Sequence, residues 1–95
     1  MQNKYEVMVI VRPDLTEEQN KNLFSQINEA ITKNQGSVLE SRVWQEKRRM
    51  IFPIKKFKEG IYYLVNFQID SLSISKLREI YRLNENILRT MFIKS

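Results

Sequence analysis

Cysteine and histidine are both missing from this 95-residue chain, and glycine and proline occur only twice each. Their absence excludes disulfides, thiolate nucleophiles, imidazole general bases and the commonest zinc ligands together, so no metal and no cofactor are expected. Long apolar runs are missing too. The most apolar segments, such as Val7 to Val11, fall far short of the roughly 20 residues a membrane-spanning helix needs. The chain enters a strand-like pattern almost at once, without a signal-peptide core, and a reducing, cytosolic-type compartment fits best. A chain of this length is expected to make one domain over residues 1–95, with room for a single core but none for a separate cofactor domain.

Positive charge is abundant and unevenly placed. The net charge is +5, yet residues 1–46 hold five Lys/Arg against seven Asp/Glu, while residues 47–95 hold eleven against four. Six of those cations fall between Lys47 and Lys58 with no acid among them, bracketing the apolar stretch Met50-Ile51-Phe52-Pro53-Ile54. A concentrated positive field beside apolar and aromatic side chains suits a phosphate-rich RNA. The plainer reading is a charged edge strand whose lysines discourage pairing with other sheets.

The hydrophobic pattern gives strand, helix, strand, strand, helix, strand. Tyr5 to Val11 is β-branched and stops at Arg12-Pro13-Asp14. Thr16-Glu17-Glu18-Gln19 is a capping box, followed by a helical stripe of Leu23, Phe24, Ile27, Ala30 and Ile31. Asn34-Gln35-Gly36 ends that helix, with Gly36 expected in the left-handed conformation. A second β region runs from Ser37 to Ile54, with a bulge or bend expected at Gln45-Glu46-Lys47. Gly60 is read as the turn into a third strand, in which Ile61, Tyr63, Val65, Phe67 and Ile69 face the core. After helix caps at Asp70 to Ser73 comes a stripe of Ile74, Leu77, Ile80 and Tyr81, and Ile87 to Ile93 is the last strand. This order is the α+β, ferredoxin-like βαββαβ arrangement, a four-stranded antiparallel sheet with two helices on one face.

Helices on one face leave the other open, and strand parity puts Met8, Ile10, Tyr62 and Leu64 there. An exposed apolar cluster of this kind fits a protein partner, and Leu64 is expected to face solvent in the free domain. Arg89 shares the parity of Met91 and Ile93, opposite Leu88, Thr90 and Phe92, and would project beside the cluster as an interface anchor. Base stacking of the RNA-recognition-motif kind matches the fold but not the residues. The glycine and aromatic signature aligns on Gly60 or on Phe67, not on both, and Phe67 points to the core. An acylphosphatase-type enzyme of this fold would need a phosphate-cradling loop, of which Arg12 is the sole trace, and the carboxylates Glu6, Glu40 and Glu46 show no acid/base spacing. The chain is therefore read as no enzyme; a ferredoxin-like small-molecule-sensing domain without RNA function is the alternative from another class.

Over essentially its whole length the sequence resembles the bacterial-type small-subunit ribosomal protein six family. The resemblance rests on Tyr5-Glu6, Pro13, Gly36, the run Arg48-Arg49-Met50-Ile51-Phe52-Pro53-Ile54 with basic residues after it, Gly60 with its aromatics, and Asn86-Ile87-Leu88-Arg89 to Lys94. Glu46 stands where the family usually has glycine, Ile51 where it has alanine and Phe52 where it has tyrosine. The resemblance implies a structural constituent of the small ribosomal subunit, located in the cytoplasm or an organelle. It would bind central-domain 16S ribosomal RNA together with ribosomal protein eighteen, with no membrane and no small-molecule substrate. Carried over by position, Arg48, Arg49 and Arg89 are the candidate RNA or partner contacts, with Lys47, Lys55 and Lys56 as phosphate-facing support. Met8, Ile10, Tyr62 and Leu64 are assigned to the partner protein by strand parity.

Overall fold

The computed structural model describes residues 2–94, and the side chains of Lys47, Arg48 and Ile51 lie outside that description. Its elements are β1 (Gln2–Val11), α1 (Glu17–Lys33), β2 (Ser37–Ile54), β3 (Phe57–Asp70), α2 (Ile74–Arg82) and β4 (Ile87–Lys94), with a short 3₁₀ turn at Ser71–Ser73. The sheet order is β2-β3-β1-β4 and every neighbouring pair is antiparallel, which is the ferredoxin-like arrangement. Val7, Val9 and Val11 pair with Val65, Tyr63 and Ile61 and turn their side chains toward the helices. There they meet Leu23, Ile27, Ala30 and Ile31 of α1 and Leu77 and Tyr81 of α2, all buried. Each fully buried Val, Ile or Leu contributes about 1.5–3 kcal/mol, so this layer supplies most of the driving force. Ile80, expected in the α2 stripe, is exposed instead.

Local chemistry explains the helix ends. Thr16 Oγ1 accepts from the Gln19 N–H at 3.1 Å and Gln19 Oε1 accepts from the Thr16 N–H at 2.9 Å, the reciprocal capping box read from the sequence. At the other end the Gly36 N–H donates to Ile31 O at 2.8 Å and the Gln35 N–H to Thr32 O at 3.1 Å, a Schellman closure. The left-handed residue is Gln35, with φ of 68°, and not Gly36 as expected. Gly36 is required for space: a Cβ there would lie 2.7 Å from Ile31 Cγ2 and 2.8 Å from Gln68 O.

Tyr81 ties the helices together. Its hydroxyl donates to Ile27 O at 2.7 Å, its ring stacks on Phe92, and burial pushes the phenol well above its ordinary range. Because the folded phenol resists ionisation while the unfolded one loses its proton near pH 10, this group's contribution is intact below about pH 10 and is lost as pH rises beyond it. Tyr81→Phe is expected to lower neutral-pH stability by about 1 kcal/mol and to flatten that alkaline loss. Denaturant midpoints for both chains between pH 7 and 11.5 check this.

The β2–β3 hairpin departs furthest from the sequence reading. β2 slips register against β3 between Val38 and Glu40, Val43 and Gln45, Gln45 and Arg48, and Arg49 and Ile54. The irregularity expected near Gln45 is therefore one of several, and extra residues on one strand bend and twist the ladder. The turn is not at Gly60, which lies within β3. It is the two-residue loop Lys55-Lys56 between paired Ile54 and Phe57, with positive φ at both lysines (49° and 73°), the backbone of a type I′ hairpin. A left-handed non-glycine residue costs roughly 1 kcal/mol, and contacts at the tip offset it. Phe57 packs near the second apolar cluster beneath the Arg12 guanidinium, whose Cζ is 5.1 Å from the ring centroid, and Lys55 Nζ donates to Ile87 O at 3.4 Å.

Candidate nucleic-acid interface

The sheet face away from the helices carries the residues that parity placed there. Met8 pairs with Leu64 on one side and Met91 on the other, and Ile10 pairs with Tyr62 and Arg89, so all six share one face. Two of them are not exposed, contrary to expectation. Ile10 is 4% exposed and Leu64 7%, whereas Met8 and Tyr62 are half-buried. Ile10 forms a second buried cluster with Met50 and Leu88, flanked by Ile54, Phe57 and Tyr62, because the β2–β3 hairpin extends across this face. Gly60 permits that packing, since a Cβ at this position would lie 2.6 Å from Ile10 Cγ2 and 3.7 Å from Met50 Sδ. Leu64 sits mid-sheet between Met8 and Arg42, long side chains whose stems can cover it.

Leu88 is a further correction. The β1–β4 register shifts between Ile10 and Val11, with Ile10 opposite Arg89 and Val11 opposite Ile87, so Leu88 is the extra residue of a bulge. The bulge turns Leu88 to the second cluster, while simple alternation puts it in the helix-covered core.

Exposed apolar area remains beside this covered patch. Phe52 is 78% exposed, and Met91 and Ile93 on β4 are exposed as well. Phe52, Met91, Tyr62, Ile54 and Arg89 line a groove between the hairpin and the sheet. Phe52 and Met91 were not among the site residues read from the sequence. Parity could have offered Met91 through its kinship with Arg89, but repeated bulges in β2 make the face of Phe52 unreadable without coordinates.

The candidate cations divide by environment. The side chains of Lys47 and Arg48 lie outside the described residues. Arg49 is exposed and stands opposite Glu59 across the hairpin, which tempers its field. Lys55 and Lys56 form the exposed tip, and Arg89 is exposed at the edge of the groove. Arg12 is spoken for by Asp14, to which it donates two hydrogen bonds of 3.0 and 2.9 Å; these hold the Asp14 carboxyl below the usual range. Among the described residues no group of three or more His, Cys, Asp or Glu could hold a metal ion, and no helix is long and apolar enough to cross a membrane.

A four-stranded antiparallel sheet backed by two helices, with its other face mixing exposed apolar and cationic side chains, defines a ferredoxin-like α+β domain suited to macromolecular partners. The chain belongs to the ribosomal protein S6 family, whose profile matches residues 4–94. It is similar to the crystal structure of 30S ribosomal protein S6 from Thermotoga maritima, at 27% identity and a TM-score of 0.90, over 100% of this chain and 89% of that one. The family is one of structural small-subunit ribosomal proteins, which places the chain in the ribosome and in translation rather than among enzymes. Two further likenesses show the fold alone. One is the C-terminal domain of the MgtC protein from Mycobacterium tuberculosis, at 12% identity and TM-score 0.67, covering 98% of this chain and 87% of that one. The other comes from the chemotaxis kinase CheA P2 domain in complex with response regulator CheY from Thermotoga maritima, at 13% identity and TM-score 0.62 over 100% of each chain.

Proposed function

We propose that this chain, acting as one domain over residues 1–95, binds central-domain 16S ribosomal RNA in the small subunit together with ribosomal protein eighteen. The observation that carries the reading is the apolar groove of Phe52, Tyr62 and Met91 with Arg89 at its edge. An apolar centre with an arginine anchor at its rim is the usual anatomy of a protein-binding patch, and lysines and arginines beyond the rim suit phosphate. The partner protein takes the groove, whose lining includes the buried Ile10, with Met8 beside Met91 on the same face and Leu64 buried next to Met8. Arg49, Lys55 and Lys56, with Lys47 and Arg48 from the same hairpin, supply the RNA-facing charge.

Phe52→Ser is the discriminating variant. It is expected to weaken binding to ribosomal protein eighteen by about 1–3 kcal/mol, the range for an interface anchor. Its own unfolding free energy should change by about 0.5 kcal/mol or less, since the ring faces solvent in the free chain. Calorimetric titration paired with denaturant unfolding reads both quantities, and intact affinity would remove Phe52 from the interface. Stabilisation by a metabolite, with neither RNA nor partner bound, would favour a small-molecule-sensing domain instead.

A further inference from the structure

Arg89 borders a second recess besides the apolar groove. At the outer edge of β4 a cleft of about 430 Å³ is bounded by Lys55 from the hairpin tip, Arg78 and Arg82 from α2, and Arg89 and Thr90 from β4. Three separate elements thus bring four cations to one cleft, and among the described residues no carboxylate lines it. Arg82 pairs with Glu79 at 2.6 Å; among the described residues no carboxylate lies within ion-pair distance of Lys55, Arg78 or Arg89.

We infer that this cleft between α2, the start of β4 and the hairpin tip is a docking site for the phosphate backbone of RNA. The inference deepens the RNA-binding reading above and rests on it. Two of the cations are held in place before any ligand arrives. Arg78 lies over Phe92, its Cζ 5.2 Å from the ring centroid, and Lys55 Nζ is tethered to Ile87 O. Side chains already ordered lose less rotamer freedom on binding, so more of the electrostatic gain appears as affinity. Guanidinium groups match phosphate oxygens in pairs, and the Thr90 side chain adds a hydroxyl donor. The cleft offers no exposed ring for a base to stack on. Tyr81 is buried there with its hydroxyl committed to Ile27 O, so the contact is to backbone phosphate and is independent of base sequence. Among the hairpin cations Arg49 contributes less to phosphate binding, because Glu59 stands opposite it.

The test uses the full chain with ribosomal protein eighteen and central-domain RNA, measuring affinity across a salt series. The double variant Arg78→Gln, Arg82→Gln is expected to bind RNA about tenfold or more weakly near physiological salt, with a log–log salt slope shallower by about one for each phosphate no longer neutralised. Affinity for ribosomal protein eighteen without RNA should be unchanged. Glu79→Gln, which frees Arg82, should bind RNA several-fold more tightly. If the double variant folds poorly, Arg82→Gln alone serves, since Glu79 on the same helix is its ion-pair partner. Unchanged affinity and slope in these variants, with weakened binding in an Arg49→Ala, Lys56→Ala chain, would overturn the cleft and leave RNA binding on the hairpin. A wild-type chain that binds no RNA even with its partner would overturn the underlying reading as well. Inorganic pyrophosphate that binds at the cleft while RNA fails to displace it would mark a small phosphate ligand, and overturn the inference.

Discussion

Ile10→Ala is expected to lower the unfolding free energy by about 3 kcal/mol, and Leu64→Ser by about 2 kcal/mol, although both belong to the sheet face without helices. Ile10 is 4% exposed and packs with Met50 and Leu88, so its truncation leaves a cavity between sheet and hairpin that the ladder cannot readily close. Leu64 sits mid-sheet between Met8 and Arg42, outside the cluster under the hairpin, and their long side chains can settle into the space, which puts it at the low end of the range for buried leucine. Seen from the sequence alone, Leu64→Ser should cost about 0.5 kcal/mol, the figure for a solvent-facing residue. Denaturant unfolding of both variants separates these values. Wild-type stability in Ile10→Ala would mean that the hairpin does not cover the face, and in Leu64→Ser that its sheet neighbours leave it open to solvent.

Gly36→Ala is expected to cost about 3 kcal/mol, and Gln35→Gly next to it to add about 0.5–1 kcal/mol. At Gly36 a new Cβ would meet Ile31 Cγ2 at 2.7 Å, Gln68 O at 2.8 Å and Ile31 O at 3.0 Å. Two of these are backbone atoms of α1 and β3, so relief requires moving an element rather than a rotamer. Gln35 occupies the left-handed conformation that glycine adopts without penalty, and the hydrogen bond to its backbone survives replacement: Gln2 Nε2 donates to its carbonyl at 2.9 Å. Thermal and denaturant unfolding of the two single variants check the opposite signs. A destabilising Gln35→Gly would show that the left-handed residue is not what limits this helix end.

The parts legible in the sequence are those decided by neighbours a few residues apart. The Thr16–Gln19 box, the α1 stripe and the alternation of Ile61 to Ile69 each depend on local hydrogen bonding or a fixed period, and the order of elements then narrows the topology to one arrangement. What failed depended on distant backbone. Gly60 resembles a turn residue, yet the turn falls at two lysines beside which Arg12 packs on Phe57 and Ile87 O accepts from Lys55, partners from elsewhere in the chain. The parity argument carried Met8, Ile10, Tyr62 and Arg89 to one face correctly and broke at Leu88, because the extra residue between the pairs Ile10–Arg89 and Val11–Ile87 reverses the alternation on the N-terminal side of Arg89. For the site, Arg89 was legible from its parity. The convergence of Lys55, Arg78 and Arg82 was not, since no spacing in the sequence relates a hairpin tip to the second helix.

The separation of the buried side chains into a large cluster under the helices and a small one under the hairpin makes stability uneven across the molecule. Lifting the 48–60 arm exposes Ile10, Met50 and Leu88 but leaves the valines of β1 and the helical layer in place. Opening there therefore draws on only a fraction of the global unfolding free energy. A partner seated on Phe52 and Met91 closes the arm from outside. Part of its binding energy would then go into holding the arm more tightly than Ile10, Met50 and Leu88 hold it in the free chain.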